Sequence, residues 1–432
     1  MIRYILAVIF VLSTLWVGEW AVQDSFHKII ISFSVLFGIY ALCINRAWKD
    51  ESLWFWIWTG TLGRISLVFV FPSLSDDVYR FYWDALVIAE GVSPYQYTPA
   101  EITHSIMETH KDVFEQLNSP GYYSVYPPVN QVLYWVALQV SSGLEGFSMA
   151  LKSIFLILEM AGLYFIYRIL MSTGQSLQWM IIYWLNPLVM IEGVGNLHIE
   201  VIMVSFLAGL YYCYFIKNRP FQAAGYFSLA MGVKIVPLII SPFLYFSKDK
   251  KTRILFTSVT ILITSILFLP VFVNHDFRTF FQSLDLYFRK FEFNASIYYL
   301  LRFVGYILTG YNQIAWIGPG LSAIFAFIVL YFAVRLKKSA MPQLLLHFLI
   351  IWTVFLCIST TVHPWYIIPI IFLGTLTGNI YPLVWSYLVV FSYILYDTGL
   401  REFYYWVVWI EYILVGGIAW WEIKKAPIRG LS

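Results

Sequence analysis

Long apolar runs recur along nearly the whole chain, and they limit the folds that it can adopt. Runs with few charged residues occupy 2–22, 29–44, 53–71, 150–171, 198–216, 253–273, 313–334, 341–358 and 402–422. Each is close to the ~20 residues that a helix needs to cross a bilayer. The runs do not alternate apolar and polar residues with the period of two that a membrane barrel strand requires. They therefore predict an all-α polytopic integral membrane protein.

The composition supports this fold class and excludes several kinds of site. The 432 residues are 60% hydrophobic and 12% charged, whereas about a quarter of a soluble protein is charged. Three cysteines, Cys43, Cys213 and Cys357, lie singly in apolar runs, without the spacing of a metal site or a disulfide framework. We expect one membrane domain over 1–432, with no cofactor, no required metal and no nucleic-acid partner.

The positions of the basic residues predict how the chain is oriented. Short loops rich in Lys and Arg stay on the cytoplasmic side of a membrane. Such clusters occur at 46–49, 217–219, 248–253, 335–338 and 424–429. Three runs precede residue 72, so the large loop 72–128 is predicted to lie outside, in the periplasm or its equivalent. Its eight acidic residues against two basic ones agree with this placement. We expect a bacterial cytoplasmic membrane protein with about 12–14 crossings and a second outer loop at 274–312.

Two stretches do not fit a simple alternation of crossings. The run 129–142 is too short for a full span, so it is predicted to be re-entrant or interfacial, with 178–192 as the alternative. The run 221–246 lies between two basic clusters and must return to the side on which it started. We therefore predict a pair of short helices that breaks near Gly232 and Pro237.

An aspartate pair, Asp76-Asp77, stands where the third run reaches the outer side. Ser75 is suited to cap a helix over 76–90, and Gly91 to end it, so an amphipathic helix on the outer membrane surface is expected. One interpretation is structural, because acidic residues stabilise a helix N-terminus and Arg80 can pair with an aspartate four residues away. The other is catalytic. Two adjacent carboxylates cannot both ionise freely, so one can act as a general base.

Further polar residues lie in three other stretches predicted to face the same side. They are 122–130 with Tyr126, 186–200 with Asn196 and His198, and 358–369 with His363. Ionisable residues at membrane depth are costly and often functional. Lys234, at the predicted tip of the short helix pair, requires an anionic partner, either a carboxylate such as Glu192 or a phosphate. Arg302 is a second candidate for a phosphate.

The string "SDDVYRFYWDALVIAEGVSPYQYTP" resembles the outer loop of bacterial GT-C glycosyltransferases, and among them the mannosyltransferases that use polyprenol-phosphate-mannose. It contains the acidic pair, then Tyr79-Arg80, Trp83-Asp84 and Pro94-Tyr95. Further matches follow in the family's order. They are Tyr126-Pro127-Pro128, Asn186-Pro187, Gly195-Asn196-Leu197-His198, Val233-Lys234 and His363-Pro364-Trp365-Tyr366.

The resemblance implies a GT-C-like fold and the transfer of a hexose, with mannose expected. The donor would be a polyprenyl-phosphate-linked sugar, and the acceptor a glycan, lipid or protein at the outer membrane face. It also implies that Asp76 or Asp77 is the general base; Asp76 leads the pair and is preferred. The residues expected to bind substrate are Arg80, Trp83, Asp84, Tyr126, Asn196, His198, Lys234, Arg302 and His363. The alternative is a transporter or flippase of lipid-linked sugars, which would use the same polar cavity without covalent chemistry.

Overall fold

The computed structural model describes residues 1–50, 52–102, 104–273, 277–337 and 339–425. The start of the expected second outer loop, 274–276, lies outside the described residues, as do Lys338 and Arg429 of the predicted basic clusters. The described chain is helical throughout. Its strand-like pairing is one isolated parallel bridge between Phe293 and Thr361.

The first eight α-helices carry the chain from the N-terminal region, through the segment 72–128, to a long central helix. They are α1 Ile2–Trp20, α2 Phe26–Asp50, α3 Leu53–Val68, α4 Asp77–Ala89, α5 His104–Thr109, α6 Lys111–Phe114, α7 Pro128–Gln139 and α8 Gly143–Thr173, with a 3₁₀ turn at Pro99–Glu101. At 31 residues, α8 is about 46 Å long, which exceeds the ~30 Å hydrocarbon core of a bilayer.

The next five helices are short and broken, and they surround the polar cluster described below. They are α9 Trp179–Trp184, α10 Pro187–Met190, α11 Glu200–Tyr211, α12 Pro220–Val233 and α13 Ser241–Ser247. Wider π-helical turns occur at Ile191–Gly195 and Tyr212–Ile216, and a 3₁₀ segment at Val236–Ile240. As predicted, the run 221–246 divides into two short helices, because α12 ends at Val233 and Lys234 is extended.

The remaining helices complete the bundle. They are α14 Lys250–Leu267, α15 Leu269–Val273, α16 Phe277–Arg289, α17 Ile297–Thr309, α18 Ile314–Arg335, α19 Met341–Ile358, α20 Ile368–Thr377, α21 Tyr381–Leu388 and α22 Tyr404–Lys425. Three 3₁₀ segments join them, at Pro364–Ile367, Val389–Tyr396 and Arg401–Phe403.

The surface of the bundle is suited to a bilayer. Large apolar side chains such as Val8, Leu12, Trp316 and Phe327 are exposed on α1 and α18, and only lipid can cover so much apolar area in a folded chain. Within the described residues, six helices are long and apolar enough to cross a membrane, or seven if one bent pair counts as a span. The chain is an all-α multi-pass membrane protein. The expected 12–14 crossings would need the shorter apolar helices to cross as well, and that number stays a prediction.

The bent pair is formed by Pro187–Gly195 and Glu200–Ile216, which meet at 109°. Pro187 begins α10 after Asn186, whose side chain caps it by accepting from the backbone N–H groups of Leu188 and Val189. Leu197 has a φ of +62° at the bend. Gly193 permits the close approach, since a Cβ there would lie 2.5 Å from a methyl carbon of Val201. The sharp turn brings Asn196 and His198 into the protein interior.

Candidate active site

Two polar side chains, those of Asn196 and Lys152, hold the segment that leads to the aspartate pair. Asn196 Oδ1 accepts hydrogen bonds from the backbone N–H groups of Ser73, at 3.1 Å, and Leu74, at 3.0 Å. Lys152 Nζ donates to the carbonyls of Leu67, at 3.1 Å, and Val70, at the end of α3. The loop between α3 and α4 is therefore fixed on both sides. Asn196, expected to bind substrate, positions this loop in the structure.

The helix that follows differs from the expectation in its start and its setting. It begins at Asp77, with Asp76 as the N-cap, and Ser75 does not cap it; the Ser75 hydroxyl accepts from the Asp77 N–H at 3.3 Å. The helix ends at Ala89 and Gly91 has a φ of +76°, as predicted. The interpretation of α4 as an amphipathic surface helix is wrong. Its residues from Val78 to Val87 are buried with the exception of Tyr79, because α7 and α8 cover it.

Three of the expected substrate-binding residues on α4 contact other parts of the protein. Arg80 pairs with Asp84 at 2.8 Å and donates to the carbonyl of Tyr122 at 2.9 Å. The second Asp84 oxygen accepts from Ser124, at 2.5 Å, and Gln131, at 2.9 Å. Trp83 is buried, and its ring lies 5.5 Å from that of Phe114. This network joins α4 to 119–131, so its evident role is to hold these two parts of the chain together.

The two aspartates have different surroundings. Asp76 is exposed and Asp77 is partly buried. Burial against the surrounding protein and the charge of Asp77 raise the pKa of the Asp76 carboxyl. Burial also raises the pKa of Asp77, while the field of His198 and hydrogen bonds with Tyr126 and Ser75 act in the opposite direction. Asp77 is therefore held by hydrogen-bond partners, whereas the Asp76 carboxylate lies at the protein surface.

His198 lies beneath the aspartate pair and is 3% exposed. Its Nδ1 is 3.0 Å from the backbone carbonyl of Glu192 and 3.1 Å from Oε2 of the same residue. The Tyr393 hydroxyl donates to the other Glu192 oxygen at 2.8 Å. The His198 Nε2 has no hydrogen-bond partner among the residues that the structure describes. The imidazole is thus fixed at one nitrogen and free at the other.

Lys234 supplies the positive charge of the site. Its ammonium pairs with Glu200, at the start of α11, and lies 3.8 Å from the ring centroid of Tyr366. The sequence predicts an anionic partner, either a carboxylate such as Glu192 or a phosphate, and in the structure this partner is the carboxylate of Glu200, whereas Glu192 contacts His198 and Tyr393. Lys234 ends α12 in an extended conformation, which brings its side chain to the polar cluster.

The loop before α20 adds an aromatic stack. Trp365 lies between the rings of His198, at a centroid distance of 3.6 Å, and His363, at 4.5 Å, both nearly parallel to it. Burial, together with the charges of His198 and Lys234, lowers the pKa of His363 to about 3, so this imidazole is neutral. The Nδ1 atom of His363 is buried and has no hydrogen-bond partner in the described part of the chain. His363 therefore belongs to the cluster as a neutral hydrogen-bonding group.

Arg302 contacts a different set of residues. It pairs with Glu292, and its guanidinium donates to the Tyr405 hydroxyl at 2.9 Å. The Tyr299 ring lies 4.6 Å from it. These contacts join α17, which contains Arg302 and Tyr299, to Glu292 before it and to Tyr405 on α22, and no residue of the cluster around Asp77 is among these partners. Of the expected site residues, the structure brings together Asp76, Asp77, Tyr126, His198, Lys234 and His363.

Several residues of the cluster did not stand out as site residues in the sequence. Glu192 and Glu200 are visible as ionisable residues in an apolar run, but their partners depend on the bend at Leu197. Tyr393 occurs in an aromatic-rich run that carries no signal of a site, whereas Tyr366 ends the His363-Pro364-Trp365-Tyr366 string that resembles the family. Among the described residues, no group of three or more His, Cys, Asp or Glu side chains could hold a metal ion.

Comparison with known families agrees with this geometry. The family model for the N-terminal domain of alpha-(1->6)-mannopyranosyltransferases, the MptA_B family, matches residues 7–247, more than half of the chain. The chain belongs to this mannosyltransferase family. A search of curated proteins finds no match. The matched region includes the aspartate pair, His198 and Lys234, whereas His363 and Trp365 of this membrane mannosyltransferase lie beyond it.

Proposed function

We propose that this mannosyltransferase moves mannose from a polyprenyl-phosphate donor to an acceptor hydroxyl at the outer face of the cytoplasmic membrane. The observation that carries the proposal is the exposed Asp76 carboxylate above a buried cluster that holds the cation of Lys234. A base on one side and a cation on the other match the needs of glycosyl transfer from a phosphate, in which one oxygen loses a proton and another gains charge. From the family description, the expected linkage is alpha-(1→6).

Asp76 is the proposed base because it is the carboxylate that an acceptor can reach. Asp77 is engaged by Tyr126 and Ser75, so its role is to hold the pair in place and to raise the pKa of Asp76. A raised pKa makes a carboxylate a stronger proton acceptor than an ordinary aspartate. The acceptor oxygen then attacks C1 of the mannosyl group as Asp76 takes its proton, and the bond from C1 to the phosphate oxygen breaks.

Lys234 is the proposed partner of the phosphate. An ammonium has three N–H donors, and Glu200 uses one of them. The other donors can bind a phosphate oxygen while Glu200 keeps the side chain in place. The interaction strengthens as charge collects on the leaving oxygen, which is the stage at which stabilisation increases the rate.

An apolar cavity beside Lys234 supports a lipid-linked donor. It has a volume of about 620 Å³, and α12, α13 and α14 line it, with Ile235, Met231, Leu238, Phe256 and Phe268 among its walls. Ile235 directly follows Lys234, so the cavity begins where the phosphate would bind. A polyprenyl chain is a long hydrocarbon and would bury its apolar surface there. The excess of acidic over basic residues in 72–128 supports an outer location of the site.

The test is a transfer assay with purified protein in lipid nanodiscs, with radiolabelled polyprenyl-phosphate-mannose and a panel of mannoside acceptors. We expect transfer by the wild type and a loss of ~10²–10⁴-fold or more in Asp76→Asn. Asp112→Asn, which also removes an exposed carboxylate from a first helical turn of the outer segment, should keep full activity. Transfer from a nucleotide sugar instead of the lipid donor would overturn the proposal. So would movement of labelled lipid across vesicles without transfer, which indicates a flippase.

A further inference from the structure

The bonding of His198 determines which of its nitrogens carries a hydrogen. A backbone carbonyl can only accept a hydrogen bond, and Nδ1 lies 3.0 Å from the carbonyl of Glu192. Nδ1 is therefore protonated. The Glu192 carboxylate is 3.1 Å away but is not aligned as an acceptor, so it acts mainly through its charge. The chemistry of this side chain is left to Nε2, which holds a lone pair in the neutral ring and a proton in the cation.

The orientation of the His198 ring is fixed, although Nε2 has no hydrogen-bond partner among the described residues. The ring is 3% exposed and stacks on Trp365 at 3.6 Å with an interplanar angle of 11°. The bond from Nδ1 to Glu192 fixes the rotation of the ring within that plane. Most buried polar atoms in proteins are hydrogen-bonded. An orphaned ring nitrogen held so firmly is explained when a substrate atom provides its partner.

The charges around His198 come from every element packed against the cluster. Asp77 belongs to α4, Glu192 to the π-helical turn, Glu200 to α11, Lys234 to the end of α12 and His363 to the loop before α20. Three of these groups, Asp77, Glu192 and Glu200, are carboxylates, and Lys234 is a cation. His363, whose pKa is lowered to about 3, is uncharged. Negative groups therefore outnumber positive ones around this ring.

We infer that His198, held by Glu192 and Tyr393, donates the Nε2 proton to the leaving phosphate oxygen during mannosyl transfer. This inference rests on the proposed function. The C1–O bond breaks with its electron pair going to the phosphate oxygen, which receives the proton from Nε2. The acceptor oxygen forms the new bond to C1, and its proton goes to Asp76. The step leaves a protonated Asp76, a neutral His198 and a lipid phosphate that carries one negative charge, as the donor did, and exchange with water restores both side chains.

Lys234 and His198 have separate tasks in this scheme. The ammonium supplies a fixed charge and is restrained by Glu200. Imidazole exchanges a proton readily near neutral pH, so it can supply one during the reaction and regain it afterwards. Glu192 is a positioning residue, because it acts through the imidazole, and Tyr393 in turn holds the Glu192 side chain.

The experiment measures single-turnover rates against pH with polyprenyl-phosphate-mannose at saturation. Wild type should give a bell-shaped profile, with the alkaline limb set by loss of the Nε2 proton. His198→Gln should lower the maximal rate by ~10²–10⁴-fold and lose that limb, with a smaller change in the KM for the donor. Glu192→Gln removes a carboxylate that lies 3.1 Å from Nδ1, and loss of a nearby negative charge makes a cation easier to deprotonate, so the alkaline limb should move to lower pH.

His347→Gln is the matched control. The Nδ1 of His347 also contacts a backbone carbonyl, that of Gln343, at 2.6 Å, but His347 belongs to α19. Its variant should keep the wild-type profile. An alkaline limb that is unchanged in both His198→Gln and Glu192→Gln would overturn this inference. The proposed function would still stand if the wild type transfers mannose and Asp76→Asn does not. If His198→Gln fails to fold, the position of the limb in Glu192→Gln decides. Absence of transfer by the wild type would overturn both proposals.

Discussion

Helix α4 has aspartates at its start, Asp76 and Asp77, and one further along, Asp84, and their surroundings differ. Asp84 is buried and has Arg80, Ser124 and Gln131 as partners within 2.9 Å. Asp76 and Asp77 have no cation of their own in direct contact among the described residues, and their carboxyl pKa values are raised. A saturated carboxylate stabilises the fold because its charge is fully compensated. A crowded and exposed one is available for proton transfer. Residue type alone does not distinguish the two roles, but the partners do.

The largest effect that separates these aspartates is expected for Asp84→Ala. The change leaves the Arg80 guanidinium, 4% exposed, without its carboxylate, and breaking a buried pair in this way costs about 3–5 kcal/mol. We expect a clear fall in the Tm of the purified protein, with Asp76→Asn at the wild-type Tm. Asp112→Asn, which changes an exposed side chain, should shift stability by less than about 0.5 kcal/mol. A stable Asp84→Ala protein that has lost only activity would show that Asp84 belongs to the chemistry.

A smaller effect is expected for Asn196→Ala, which tests whether the approach to the aspartate pair must be held. The change leaves the N–H groups of Ser73 and Leu74 without their shared acceptor, at a cost of about 1–3 kcal/mol. Because the loop carries Asp76, we expect kcat to fall by roughly 10-fold with little change in the KM for the donor. Asn196→Asp keeps an acceptor oxygen and should recover much of the rate. Equal loss in both variants would argue for direct contact with substrate.

The fold class could be predicted from the sequence because apolar length and basic clusters are properties of single segments. The break at Lys234 was predictable for the same reason, since a stretch between two basic clusters must return to its own side. The pairing of charges was not predictable in this way. The partner of Lys234 is Glu200 and not Glu192, and this depends on a bend that reverses the chain by 109°.

The setting of α4 shows a second limit. The pattern of Val78, Tyr82 and Ala85 on one stripe and Asp77, Arg80 and Asp84 on another is that of a surface helix. The structure buries both stripes, because Ser124 and Gln131 satisfy the charged one. Ser124 and Gln131 belong to a part of the chain that approaches α4 only in the folded protein. Similarly, Tyr393 reaches Glu192 across 201 positions of sequence, and no local pattern marks it.

The smallest effect, a shift in the pH dependence of kcat/KM, is expected for Asp77→Asn, which tests how Asp77 acts on Asp76. Burial is the larger cause of the raised Asp76 pKa and the charge of Asp77 the smaller one, so the substitution removes only part of the increase. The Asp76 pKa should fall, and the base then stays deprotonated at a lower pH. We expect the acid limb of kcat/KM to move to lower pH by less than about one unit, while a reduced plateau reflects the lost contact with Tyr126. Asp112→Asn should leave the limb in place. A loss of transfer in Asp77→Asn as large as the ~10²–10⁴-fold loss expected for removal of the base would mean that Asp77 is the base and that the assignment within the pair must be reversed. An acid limb that stays in place, or moves to higher pH, in an active variant would mean that the charge of Asp77 does not raise the pKa of the base.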